Sequence, residues 1–156
     1  MRMTDAQLRE FVARGQIAQA AVAAIVPKGK RRRAHPEDDI QRAVCQFWEL
    51  CYPQTWHMTF HPPNGLAAKT RALAAIFKGL GVKPGVPDLM CTARRGAYNG
   101  FALELKSATG TISNAQSEWQ ARLITEGWMV VTANSLDKAL VAIRDYNELP
   151  ARDARQ

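Results

Sequence analysis

From residue 37 onward, segments with an apolar residue every three or four positions alternate with short apolar runs. The first pattern marks an amphipathic helix and the second a strand. Residues 37–51 carry a stripe of Ile40, Val44, Phe47, Trp48 and Cys51 and predict a helix. Residues 55–60 predict a short strand, and Pro62-Pro63-Asn64-Gly65 is a strong breaker. A helix is expected from Ala67 to Lys78, stopped by Gly79 and Gly81, with a turn-rich loop at Lys83–Pro87 behind it. Two strands, Asp88–Thr92 and Phe101–Lys106, flank a loop holding Gly96, Asn99 and Gly100. A helix over Ser113–Glu126 ends at Gly127, and a strongly apolar strand follows over Trp128–Ala133. The last helix, Ser135–Tyr146, turns Leu136, Leu140 and Ile143 inward, and Asn147–Gln156 reads as a frayed tail. There is no internal repeat, and the alternation of strands and helices is that of the α/β class.

The first 36 residues differ. Thr4 and Gln7 form a capping-box pattern, and Leu8, Phe11 and Val12 follow at helical spacing. An Ala-rich stretch, Ile17–Val26, stops at Pro27. One or two helices over residues 4–26 and a basic hinge to His35-Pro36 are expected. The stretch does not read as a signal peptide, because Asp5, Glu10 and Arg14 precede it and a basic run follows. The expected organisation is a helical segment and basic linker over 1–36, a main domain over 37–146 and a tail over 147–156.

Composition then narrows the class. Hydrophobic residues make up 47% of the 156, enough for one core and too many for a disordered chain. No run approaches the ~18 uncharged apolar residues of a membrane span, so no membrane partner is expected. Three Cys give no disulfide framework, and a cytoplasmic protein of a bacterial or phage-infected cell is the expectation. The net charge of +7 is unevenly placed. Residues 1–36 hold eight basic residues (Arg2, Arg9, Arg14, Lys28, Lys30, Arg31, Arg32 and Arg33) against Asp5 and Glu10, which is +6 of the +7. The run Lys28–Arg33 attracts phosphate through counterion release whatever the base sequence, and a solvated linker is its plain alternative.

The residues that carry chemistry are acids. Asp88 opens one strand, and Glu104 and Lys106 sit two apart on the next. Glu104 and Lys106 therefore share a face, while Leu103 and Leu105 point the other way. A hairpin centred near Ala97 would set position 88 opposite 106 and position 90 opposite 104, with Asp88 diagonal to Glu104. Two carboxylates in one site repel unless a cation lies between them. Oxygen ligands suit Mg²⁺ or Mn²⁺, which polarise a phosphoryl oxygen and acidify a bound water. Lys106 is then placed to position or deprotonate the attacking water, or to stabilise charge on the phosphate. That is the equipment for phosphodiester hydrolysis; an edge hairpin with a surface Glu/Lys pair is the alternative that spacing alone leaves open.

Two further residues have double readings. Glu37 falls in line with Ile40, Val44 and Trp48 at ~100° per residue, with Gln41 beside it. A carboxylate on that stripe needs a partner, and the helix's own N-terminus is one. Ser113-x-x-Gln116 fits a capping box, yet Gln116 also shares a face with Trp119 and Leu123 that turns its amide toward the site.

In order along the chain stand Glu37-x-x-Ile40-Gln41, Pro63-Asn64-Gly65, Pro84-Gly85-Val86-Pro87-Asp88-Leu89, Phe101–Lys106, Ser113-x-x-Gln116 and Trp119…Leu123…Gly127. This ordered set, over about residues 37–146, resembles the VRR-NUC family of the PD-(D/E)xK nuclease superfamily. One departure is Leu66, where the family often has a second glycine after Pro-Asn. The resemblance implies a restriction-endonuclease-like core, a mixed central β-sheet of about four strands flanked by helices, and Mg²⁺- or Mn²⁺-dependent DNA cleavage. It implies that Asp88, Glu104 and the Leu105 carbonyl hold the metal, that Lys106 acts on the water, and that Glu37 and Gln116 complete the site, Glu37 through a water on the metal. Some members look like Holliday-junction resolvases and act as homodimers, and others are domains of crosslink-repair nucleases. The expected function is a structure-selective endonuclease of replication, recombination or repair, acting on branched DNA as a homodimer. Expected DNA contacts are Lys28, Lys30, Arg31, Arg32, Arg33, Asn64, Lys69 and Arg71. A non-cleaving DNA-binding module is the second hypothesis and an RNA-directed enzyme the third. A zinc site at Cys45, Cys51, His57 and His61 is set aside, since no C-x2-C pair exists.

Overall fold

The structure, a computed structural model, describes residues 36–63 and 70–152, with side chains from residue 38. The expectations for the arm (Lys28, Lys30, Arg31, Arg32 and Arg33), for Asn64 and Lys69, and for the side chain of Glu37 lie outside the described residues. Helix α1 spans Pro36–Cys51, a single turn α2 Pro53–Trp56, strand β1 Thr59–Phe60, and α3 Arg71–Gly79. Then follow β2 (Leu89–Cys91), β3 (Phe101–Leu105), α4 (Asn114–Thr125), β4 (Met129–Ala133) and α5 (Leu136–Glu148).

The four strands form one mixed sheet in the order β1-β2-β3-β4. The first two junctions are antiparallel, and β3 and β4 run parallel because α4 returns the chain between them. Every residue of β3 is buried, since both of its faces are covered. Phe101, Leu103 and Leu105 join the larger core with Val44, Phe47 and Trp48 of α1 and Ala139, Ile143 and Tyr146 of α5. The Phe101 ring meets Trp48 edge-on at 5.7 Å and stacks on Tyr146 at 4.9 Å. The alternate residues turn to the smaller core, where Met90, Ala102 and Leu123 pack with Val86, Trp119, Trp128 and Val130. Glu104 lies on this second face by the same alternation.

Three expectations are corrected. The strand expected over 55–60 is only Thr59–Phe60, because Pro53 begins a helical turn instead. That turn delivers Thr55 into the core, where its Oγ1 accepts from Trp48 Nε1 (2.9 Å) and donates to Asn147 Oδ1 (2.5 Å). The frayed tail is corrected by the same bond: α5 continues through Glu148, and the chain to Arg152 lies along the β2–β3 loop. Gly96 N donates to Pro150 O at 2.8 Å and Arg152 N to Arg94 O at 3.3 Å. The third correction is the hairpin register. Leu89 pairs with Leu103 and Cys91 with Phe101, so the hairpin is centred on residue 96, not near Ala97, and Asp88 comes level with Glu104 rather than diagonal to it. Of the helix expected over 67–78, the described part is α3, capped by Thr70, whose side chain accepts from Leu73 N at 3.2 Å. Among the described residues no helix is long and apolar enough to cross a membrane.

Candidate active site

The sheet loses its regular ladder just where the acids stand, and two prolines explain why. Continuing the β2–β3 register, Pro87 comes level with Leu105. A proline has no N–H, so it offers nothing to the Leu105 carbonyl. The Leu105 N–H donates instead to the Asp88 side chain, at 2.7 Å from Oδ2. On the other side of β2, Thr92 N donates to Met58 O and Phe60 pairs with Met90, so the next position facing Asp88 is Pro62. Again no N–H is available, and the Asp88 carbonyl accepts from the ring of His61, with Nδ1 at 2.5 Å. Asp88 is thus fixed at side chain and backbone, half-buried at the end of β2.

Glu104 stands beside it, 1% exposed. Lys106 Nζ lies 2.8 Å from its Oε1, and Gln116 Nε2 donates to the same Oε1. Both donors converge on one oxygen. Glu104 Oε2 is buried and has no hydrogen-bond partner among the described residues. A buried acceptor without a donor is rare, and a buried carboxylate oxygen in that state is costly. Burial pushes the Glu104 carboxyl above the ordinary carboxylate range, and the neighbouring Asp88 charge adds to the rise. The hydrogen bonds and charge of Lys106 and the Gln116 amide act in the opposite direction. Among the described residues the site therefore has two carboxylates side by side, one orphan oxygen and one lysine. A divalent cation fits it: it would satisfy the orphan oxygen and offset the repulsion between the acids.

Gln116 both caps α4 and reaches Glu104. Its Oε1 accepts from Ser113 N at 2.9 Å and its own N–H donates to Ser113 Oγ at 3.3 Å, closing the capping box at the start of α4. The opposite end of the same amide holds Glu104. One turn on, Gln120 Nε2 donates to Thr132 Oγ1 at 3.0 Å, and Thr132 is the β4 partner of Glu104. Arg71 is exposed in the first turn of α3. Among the described residues no cluster of three or more His, Cys, Asp or Glu forms.

The sequence places Gly85 in a turn-rich loop but does not show what it touches. Its φ is +82°, and a Cβ there would lie 2.5 Å from the Ala115 carbonyl carbon and 2.8 Å from Gln116 N. The loop that carries Asp88 is thus keyed against the first turn of the helix that carries Gln116. The sequence signal was a glycine between two prolines, which marks a turn but not what the turn touches. Gly85→Ala is expected to destabilise the protein by about 1–3 kcal/mol or more, from the left-handed backbone and the backbone clash together. Urea denaturation checks this, and an unchanged midpoint would show that the loop does not rest on α4 as described.

A four-stranded mixed sheet flanked by helices is the arrangement of the restriction-endonuclease-like α/β fold. A solved structure described as a "VRR_NUC domain protein" shares this fold with a TM-score of 0.65 and 30% sequence identity, over 78% of this chain and 95% of that one. No family model matches the chain, and no curated protein does. The chain belongs to the VRR-NUC family, a nuclease-type fold.

Proposed function

We propose that the chain is a divalent-metal-dependent deoxyribonuclease that hydrolyses phosphodiester bonds with water as nucleophile. The observation that carries this reading is Glu104 Oε2, a buried carboxylate oxygen that both neighbouring donors leave open beside a second acid. Asp88, Glu104 and the Leu105 carbonyl would hold Mg²⁺ or Mn²⁺, with Glu37 reaching it through a water. When bound, the ion supplies charge stabilisation to the phosphoryl oxygens and a more acidic water. The residues do the rest. Gln116 and Lys106 fix the Glu104 carboxylate through Oε1 and so aim Oε2. The Lys106 ammonium, 2.8 Å from that carboxylate, orients the attacking water and steadies the charge that develops on the phosphate. The basic run Lys28–Arg33, with Asn64, Lys69 and Arg71, grips the DNA backbone without reading its sequence.

The preferred substrate in this reading is branched DNA of replication, recombination or repair, cut internally by a homodimer. One domain carries one such site, and symmetric cutting of two strands needs two. The test is a panel of four-way junction, flap, linear duplex, single-stranded DNA and RNA, incubated with Mg²⁺ or Mn²⁺ and again with excess EDTA. Cleavage of a branched DNA that EDTA stops is the expected result. DNA bound but uncut across the panel, with both metals, would make the chain a DNA-positioning module instead.

A further inference from the structure

We infer that His61 is a positioning residue for Asp88, taking the place of the strand N–H that Pro62 cannot supply. The inference rests on the nuclease reading and deepens it. In the β1–β2 ladder, the pair Met58 and Thr92 is hydrogen-bonded and Phe60 pairs with Met90. Antiparallel ladders bond alternate pairs, so the next bonded pair would be residue 62 with Asp88. Pro62 is buried there and has no N–H. His61, one residue earlier, turns its ring back and meets the Asp88 carbonyl with Nδ1 at 2.5 Å. A carbonyl only accepts, so Nδ1 carries a proton and donates to it. The Asp88 peptide is thereby fixed from the β1 side, while the Leu105 N–H fixes its carboxylate from the β3 side at 2.7 Å. This bond to Asp88 is what links His61 to the site, so its route to the chemistry runs through the placement of the Asp88 carboxylate. An outer partner that orients a metal-binding carboxylate typically changes metal affinity or activity 10–100-fold when removed.

The geometry distinguishes this role from two others, a direct contact to substrate through Nε2 and a merely structural bond. Asn at position 61 carries its side-chain N–H close to where the imidazole Nδ1 lies, whereas Gln places its amide nearer to Nε2. The experiment compares the full-length wild type with His61→Ala, His61→Asn and His61→Gln, and with Glu104→Ala as control. Mn²⁺ affinity is measured by calorimetry without DNA, kcat and KM on the DNA that the wild type cuts, and stability by urea denaturation. His61→Ala is expected to weaken Mn²⁺ binding and lower kcat by about tenfold or more, with KM for DNA unchanged. His61→Asn should recover most of both losses, and His61→Gln should not. Wild-type Mn²⁺ affinity and kcat in His61→Ala would overturn the inference, as would rescue by Gln in preference to Asn or an effect confined to KM. A loss that follows the urea midpoint in all three variants would overturn it too, since it would make the bond structural only. If the wild type and Glu104→Ala bind Mn²⁺ equally and neither cuts DNA, the nuclease reading itself fails and this inference with it. If Glu104→Ala loses both and His61→Ala keeps both, the inference alone fails.

Discussion

Glu104→Gln and Asp88→Asn should each lower DNA cleavage by on the order of 10³-fold or more while the protein still folds. The two substitutions keep the shape of the side chain and remove its charge. Asn at 88 retains an oxygen that accepts from Leu105 N, and Gln at 104 retains one oxygen for Lys106 and Gln116. What is lost is the pair of adjacent negative charges that would hold a divalent cation. The assay is single-turnover cleavage at saturating Mg²⁺, with circular dichroism as the folding control. Cleavage within tenfold of wild type in either variant would remove that residue from the site. Lys106 belongs to the same unit, so a double variant of Lys106 and Glu104 should be scarcely worse than either single one.

The second large effect is on stability and turns on metal. Burial raises the Glu104 carboxyl above its ordinary value near 4.5. A group whose pKa is raised by folding holds its proton more tightly in the folded state, so its contribution is fully present below the unfolded pKa. That contribution is lost as pH rises through the higher folded value. Metal-free wild type should therefore lose stability as pH climbs from about 4.5, on account of this one group, and Glu104→Gln should flatten that part of the profile. Mg²⁺ or Mn²⁺ at neutral pH should stabilise wild type by about 2.7 kcal/mol at 100 Kd, a rise of several degrees in Tm, and leave Glu104→Gln almost unmoved. Thermal melts across pH, with and without the ion, measure both. An equal metal response in the two proteins would mean that the cation binds somewhere other than beside Glu104.

The face of Glu104 was legible from the sequence because strand parity is local: Leu103 and Leu105 needed a core, so Glu104 turned away from it. The register was not. The segment between β2 and β3 folds on itself, with Arg95 bridged to Tyr98 and Gly96 at φ +51°, and no local rule fixes its centre. The expected centre was displaced by one residue, which shifts the pairing by two. A shift of two preserves the face of every side chain, so Asp88 and Glu104 remained neighbours under the wrong register. The tail failed for a different reason. Asn147 is held by Thr55, a partner 92 positions away, and a polar residue near a helix end gives no local sign of such a bond. The double role of Gln116 was readable as two alternatives, and only packing shows that one amide serves both with its two ends.

The prolines at 62 and 87 also bear on how this protein could be made sturdier. Both stand where a strand former such as valine would extend the hydrogen-bonded ladder, and a search for stabilising substitutions would choose them early. An N–H restored at 87 would occupy the Leu105 carbonyl, and one restored at 62 would displace the His61 ring from Asp88. The sheet would gain order at the level of the two acids. In the proposed nuclease, thermostability and turnover would thus be set against each other at two positions that carry no charge and no reactive group, and a variant library scored on melting temperature alone would drift toward a well-folded, inactive sheet.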